Sequence, residues 1–285
     1  MGSIVIMAET GSDIGRDEAR RLGIELVPMH VSIGETTIDD GDMPTAEMLE
    51  RCRQLVVMPH TSGCTPADFS AAFDRVHEAH PEATILYLAY SAVTTCSYES
   101  ARTAAEGRDY VLMADTELVT IGQGFVVTGT ARWIAEHPEA TPDEALAFAE
   151  GLARRTRMAF IPGDLGYLRA GGRLSNAAFV GATLLRIRPV VELVDGRLVA
   201  TRKLRGKKVP TSVELVDLIA GEGPYDRDRI FFVRSCGLPD EVARAVEERA
   251  RELGFEHVSW YETGNVITSH SGPGSFGVAM CAPEA

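Results

Sequence analysis

The chain has 285 residues, 45% hydrophobic and 24% charged, with a formal net charge of -13. This composition describes a globular protein long enough for two ordinary domains rather than a disordered segment. The acidic balance argues against a nucleic-acid partner, which demands a positive face, and against adhesion to anionic membrane except through a local basic patch.

Cys52, Cys64, Cys96, Cys236 and Cys281 form an odd, scattered set without a CxxC spacing. Neither a disulfide framework nor a zinc site is suggested, and reduced thiols in a cytoplasmic protein are expected. The opening MGSIVIMAET lacks the basic start and long apolar run of a secretion signal. No stretch approaches the ~20 apolar residues that span a bilayer.

In chain order, Ile4 to Ala8 reads as a buried strand ending in the polar segment Glu9-Thr10-Gly11-Ser12-Asp13. A helical pattern through Arg20 and Leu22 follows, then a strand over Ile24 to Val31. Thr84 to Tyr90 and Tyr110 to Ala114 repeat the scheme, each leading through small and polar residues into a helix. Continuously apolar strands separated by helices predict a parallel sheet covered on both faces. Ligands gather at the carboxyl ends of such strands, where the segments 9–13, 61–66 and 91–97 fall.

The second half differs. A helix over Thr141 to Thr156 precedes a strand at Met158 to Ile161, then Gly171-Gly172-Arg173 and an apolar run including Leu184 to Val194. Asp195-Gly196, between Val190–Val194 and Arg197–Ala200, predicts a hairpin. A helix at Val213 to Ala220, a strand at Ile230 to Val233, a helix at Asp240 to Leu253 and a strand at His257 to Tyr261 follow. The expected architecture is α/β, with a parallel-sheet domain over 1–158 and a mixed α+β domain over 159–285.

Three segments carry candidate chemistry. In Pro59 to Phe69, Thr65 followed by Pro66 reads as an N-cap with proline at the first helical position. Ser91 to Tyr98 is a hydroxyl-rich turn after a strand, suited to cradle an anion or simply to cap a helix. Ser269-His270-Ser271-Gly272-Pro273-Gly274 places a histidine in a glycine-rich turn, as a local hydrogen-bond partner or a functional group. There is no phosphate loop and no GxSxG elbow, and Gly122-Gln123-Gly124 lacks the third glycine of a dinucleotide fingerprint. Hydroxyls with one arginine and one histidine describe a binding site for a small carboxylate better than a reaction centre.

These segments resemble the DegV family, which includes the fatty-acid-binding subunits of bacterial fatty acid kinase. Ala8 to Asp13 is similar to its TDSTAD, Thr61-Ser62 with Thr65 to Phe69 to TSxPSPxDF, and Ser91 to Ala101 to SSxLSGTYQSA. Asp115-Thr116 with Gly122 and Gly124 resembles DSxxxSxGxG. Tyr167 to Ser175 resembles YLxKGGRIS, Ile187-Arg188-Pro189 resembles IKP, and His270 to Gly274 resembles HxGPG. Cys96, Ala92, Thr94, Glu9 and Thr10 depart from these patterns. The resemblance implies a long-chain fatty acid held between the two domains, with no other cofactor. Thr61 and Ser91 would hydrogen-bond its carboxylate, with Ser62 and Thr95 as second choices, and Arg173 and His270 would complete the network. It further implies that the chain is no enzyme by itself and presents the acid to a separate kinase. A hydrolase with a Ser91 or Cys96 nucleophile and His270 as base is the alternative, as is a regulatory binder of another amphipathic carboxylate. Lys203, Arg205, Lys207 and Lys208 are either a solvated loop or a docking patch for the kinase or for membrane.

Overall fold

The computed structural model describes residues 3–174 and 187–284. Ser175 and residues 184–186, which entered the sequence reading, lie outside the described residues. The first half runs β1 (Ile4–Glu9), a 3-10 turn (Thr10–Ser12), α1 (Arg16–Leu22), β2 (Ile24–Val27), β3 (His30–Ile33), β4 (Thr36–Asp39) and α2 (Thr45–Leu55). It continues with β5 (His60–Ser62), α3 (Pro66–Ala79), β6 (Thr84–Ala89), α4 (Ser97–Ala105), β7 (Val111–Asp115), α5 (Thr120–Glu136) and α6 (Pro142–Arg155). The second half contains β8 (Thr156–Ile161), α7 (Leu165–Gly171), β9 (Ile187–Val194), β10 (Arg197–Arg205), α8 (Lys208–Ala220) and β11 (Arg229–Arg234). It ends with α9 (Asp240–Glu252), β12 (His257–Glu262), α10 (Asn265–Ser271) and β13 (Phe276–Cys281).

The protein is α/β. A parallel sheet of order β2-β1-β6-β7 and a mixed sheet of order β10-β9-β8-β13-β11-β12 form its two main layers. The strand order of the parallel sheet reverses between β1 and β6, so the crevice beyond their carboxyl ends is the position where such sheets take ligands. A small antiparallel sheet, β4-β3-β5, stands beside them. It forms because the apolar run 24–31 is not one strand: Pro28, which has no N–H to give a ladder, divides β2 from β3. β2 stays in the parallel sheet, and β3 pairs with β4 and with the site-bearing β5.

Helix α5 lies between the main sheets and is buried all round over Thr120 to Thr128. A helix with so many apolar residues on every side needs cover on every side. Its glycines let it approach closely: a Cβ on Gly124 would sit 2.7 Å from the Ser12 carbonyl oxygen, and one on Gly122 2.9 Å from the Met158 sulfur. The core that results runs from Ile6, Leu86 and Leu88 of the parallel sheet through α5 to Phe231, Val233 and Ala279 of the mixed sheet.

Local signals form as the sequence predicts. Thr65 caps α3 in a complete capping box with Asp68, and Pro66 opens the helix. Asp195 and Gly196 both have positive φ, 49° and 71°, which turns β9 into β10 with the twist a tight hairpin needs. Several elements escape the sequence reading, among them β4, α2, β5 and α7, and two near the C-terminus. His270 lies in a helix, α10, rather than a glycine-rich turn, and Phe276 to Cys281 form the wholly buried strand β13 inside the mixed sheet. No helix among the described residues is long and apolar enough to cross a membrane.

Candidate functional site

The crevice between the sheets contains a cavity with an empty volume of about 850 Å³, part of it open to solvent. Met29 and Val119 supply one wall, and Phe160, Leu198 and Val233 of the mixed sheet supply the facing one, with Ile267 of α10 between them. Its polar lining includes Thr61, Ser62, Thr94, Thr95, Arg173 and His270. A mostly apolar lining with a few convergent polar groups is typical of small-molecule sites.

Helix α10 positions the histidine. Its first turn is gripped by two buried aspartates from the other end of the chain. The Gly264 N–H donates to Asp13 Oδ1 at 2.8 Å, and the N–H groups of Asn265 and Val266 donate to Asp40 Oδ1 at 2.6 and 3.2 Å. These bonds satisfy donors that a helix start leaves open and place carboxylates at the positive end of its dipole. Burial pushes both carboxyls above their usual range, Asp13 far above, and the charge of Asp40 adds to the rise at Asp13. The Thr120 hydroxyl donates to Asp13, which ties α5 into the same junction. A Cβ on Gly264 would lie 2.7 Å from Asp40 Oδ1, so this close approach requires glycine.

At the other end of α10, His270 Nε2 meets the Thr61 hydroxyl at 2.8 Å. Its Nδ1 is buried and has no hydrogen-bond partner among the described residues. Burial, and secondly the Arg173 guanidinium, hold the imidazole down to about 4, so it is neutral at pH 7. Gly171 makes room for the ring, since a Cβ there would lie 2.2 Å from Nδ1. Arg173 is exposed and donates from Nη1 to the Gly171 carbonyl at 2.8 Å. Thr95 is fixed by a 3.1 Å contact with the Ser97 hydroxyl, which in turn accepts from the Cys64 N–H at 3.1 Å. Gly63 permits that packing: a Cβ there would be 2.4 Å from the Thr95 hydroxyl.

The structure therefore brings Thr61, Ser62, Thr95, Arg173 and His270 around one cavity, and gives Ser91 another task. Ser91 is fully buried and absent from the cavity lining, and its hydroxyl donates to the Gly196 carbonyl at 2.7 Å. The turn after β6 faces the β9–β10 hairpin, so its first hydroxyl is consumed holding the two sheets together. The neighbouring Ala92 N–H is likewise taken by Asp115, at 3.2 Å to Oδ2. Neither Ser91 nor the exposed Cys96 bonds to His270 among the described residues.

The polar end of β1 serves the scaffold. Glu9 is fully buried and accepts from the Tyr87 hydroxyl at 2.5 Å, from Gln123 Nε2 at 2.7 Å and from the Tyr90 N–H at 3.1 Å. Burial raises its carboxyl despite these donors. Sequence reasoning missed the cavity's apolar wall and Thr94. Thr94 stood beside a named candidate, whereas the wall residues come from remote segments and carry no motif. The basic segment 203–208 is a loop only at Gly206 and Lys207: Lys203 and Arg205 lie on β10, and Lys208 opens α8 and turns inward to donate to the Gly274 carbonyl at 2.6 Å.

The DegV family model, described as "Uncharacterised protein, DegV family", matches residues 3–283. A DegV domain-containing protein of Streptomyces coelicolor is 30% identical over 286 residues, covering 97% of this chain and 98% of its own. One from Deinococcus radiodurans is 28% identical over 282 residues, covering 98% of each. Among solved structures, a DegV family protein from Thermus thermophilus, described for its fatty acid binding, superposes with a TM-score of 0.87 at 27% identity, covering 99% of this chain and 100% of the other. DegV of Bacillus subtilis, described as a fatty acid binding protein, shares the fold at a TM-score of 0.82 and 23% identity, covering 99% and 100%. With the match running from the first strand to the last, the chain belongs to the DegV family.

Proposed function

We propose that this protein binds one long-chain fatty acid in the cavity between its sheets and presents the carboxylate to a separate kinase, without being an enzyme itself. The observation that carries this reading is an apolar chamber whose mouth gathers hydroxyls, a neutral imidazole whose buried Nδ1 has no partner among the described residues, and one guanidinium. The fatty acid binding described for the Thermus thermophilus relative supports it. The carboxylate would accept from Thr61 and Ser62, from Thr95 and from His270, with Arg173 supplying charge. A carboxylate removed from water without such donors would be strongly disfavoured, and charge-assisted bonds offset that cost. The acyl tail supplies most of the affinity. At ~0.8 kcal/mol per methylene, about fifteen methylenes give on the order of 12 kcal/mol before association costs. Release into water would be slow, which favours transfer of a phosphoryl group to the acid while it stays bound.

The Thr61–His270 pair invites comparison with a nucleophile and its base. A general base works best with a pKa near the operating pH. An imidazole held near 4 is far too weak at neutrality, and as a neutral hydrogen-bond donor it suits a carboxylate. Denaturing mass spectrometry of the purified protein is expected to release a fatty acid of long chain. A protein that is empty and refuses added palmitate would overturn the reading. Adding ATP to this chain alone is expected to yield no acyl phosphate, whereas adding the kinase as well yields it.

A further inference from the structure

The acyl cavity runs along α10. Its lining takes Thr263 just before the helix, Val266 and Ile267 within it, and His270 and Ser271 at its finish. The head-group donors Thr61 and His270 meet at that finish, and by the helical rise the start lies roughly 10 Å away. Tyr90, the residue after β6, lines the same cavity. Its ring stands near the start of α10. A Cβ on Gly11 would lie 3.2 Å from Tyr90 Cε2, and Gly11 belongs to the 3-10 turn that delivers Asp13 to the Gly264 N–H. The backbone N–H of Tyr90 is taken by Glu9, whereas its hydroxyl has no hydrogen-bond partner among the described residues. The threonine hydroxyls at this end are committed: Thr120 donates to Asp13, and Thr263 and Thr268 bond one another at 2.7 Å. Burial, and next the charge of Asp13, push the phenol above its ordinary value, so it keeps its proton and remains a donor.

We propose that the Tyr90 hydroxyl is a second polar anchor inside the acyl cavity, and that the preferred ligand is a long-chain fatty acid bearing a hydroxyl group near the middle of its chain. The proposal rests on the acyl-binding role argued above and names the class of acid. A plain hydrocarbon seated against Tyr90 would strip water from the phenol and return nothing, and a buried donor left without an acceptor is costly. A hydroxyl on the chain restores the bond. That hydroxyl also loses its own water on entering an apolar chamber, so each group satisfies the other. Sites built to bond a ligand hydroxyl reject the analogue lacking it far more strongly than apolar pockets discriminate by size. The carboxyls of Asp13, Glu9 and Asp40 act on the phenol, which disfavours an anionic group there and suits a neutral oxygen. The position on the chain follows from the two ends of α10. The proposed carboxylate seat is at His270, and Tyr90 stands toward the other end, a separation of about half an extended stearate chain.

The test compares stearate with monohydroxystearates carrying the hydroxyl beside the carboxyl, at mid-chain or near the tail end. Calorimetry measures each on wild type and on Tyr90→Phe, which keeps the ring over Gly11. Wild type is expected to hold the mid-chain isomer roughly tenfold tighter than stearate. Tyr90→Phe is expected to reverse the order, loosening that isomer by about tenfold and tightening stearate by up to about threefold. Equal affinity of wild type for stearate and every isomer, or a preference for an isomer other than the mid-chain one, would overturn the anchor alone. Equal weakening of stearate and the mid-chain isomer in Tyr90→Phe would do the same, and would assign the phenol to the carboxylate or to the scaffold. Refusal of all these acids by wild type would overturn the acyl-binding role as well.

Discussion

The two ends of α10 do opposite work within seven residues. At its start, the N–H groups that meet Asp13 and Asp40 are satisfied by carboxylates from distant segments, and the junction is closed. At its finish, His270 makes one bond to Thr61 and keeps a buried nitrogen without a partner among the described residues. Saturated polar groups hold a structure together, whereas unsaturated ones await something else. One short helix thus couples a locked interface to a receptive mouth, and the lock sets the position of the mouth.

The largest effect expected from breaking this contrast is on pH. The His270 pKa is depressed to about 4 from its ordinary 6.5, so the unfolded chain binds more protons between those values. Stability is then fully present above pH 6.5 and is lost as the pH falls toward 4, by about 3 kcal/mol. The raised carboxyls of Glu9, Asp13 and Asp40 act in the other sense, since the folded form holds their protons longer and stability declines as the pH rises above their unfolded range. Comparing denaturant melts of wild type with His270→Gln across this window isolates the imidazole. A parallel pH dependence in the two proteins would contradict the assignment. Adding palmitate is expected to raise the His270 pKa, visible as a shifted titration of its ring protons in NMR.

Next in size is the lock. Asp40→Ala leaves two backbone N–H groups of α10 without an acceptor and is expected to cost about 2 kcal/mol in urea unfolding, after relief from burying the carboxyl. Asp40→Asn keeps an acceptor oxygen and is expected to lose less than ~1 kcal/mol. Equal losses for the two variants would show that charge, and not bonding to α10, matters at this position.

At the receptive end, Thr61→Val removes one donor and is expected to weaken palmitate binding by roughly fivefold to tenfold, read by calorimetry, and to cost about 1 kcal/mol of stability with the bond to His270. Ser91→Ala should separate the two effects: about 1 kcal/mol of stability lost with the bond to Gly196, and palmitate affinity preserved. A large loss of affinity in Ser91→Ala would return that hydroxyl to the ligand.

Part of this molecule is legible residue by residue. Thr65-Pro66 with Asp68, Thr141-Pro142 with Glu144, and Asp195-Gly196 each complete a motif within a few positions, and each forms as such motifs do. Apolar runs such as Thr84 to Tyr90 mark strands because covered strands need side chains of that kind on both faces. Reading fails where the partner is remote. The run 24–31 looks like one strand until Pro28 sends its two halves to different sheets. Residues 265–271 carry no side-chain cap of their own, and their helix starts because Asp13 and Asp40 supply acceptors from over two hundred positions away.

By itself the sequence determined the alternation of strands and helices, the caps and the hairpin, and the run of motifs that places the chain in its family. These depend on interactions spanning a few residues or on a pattern preserved in order along the chain. Only the tertiary structure decided which hydroxyls look into the cavity. Thr61 on β5 and Ser91 in the turn after β6 both offer a hydroxyl, yet one meets His270 and the other meets Gly196. The direction of a side chain follows from what packs against its segment, and those neighbours are brought there by the fold.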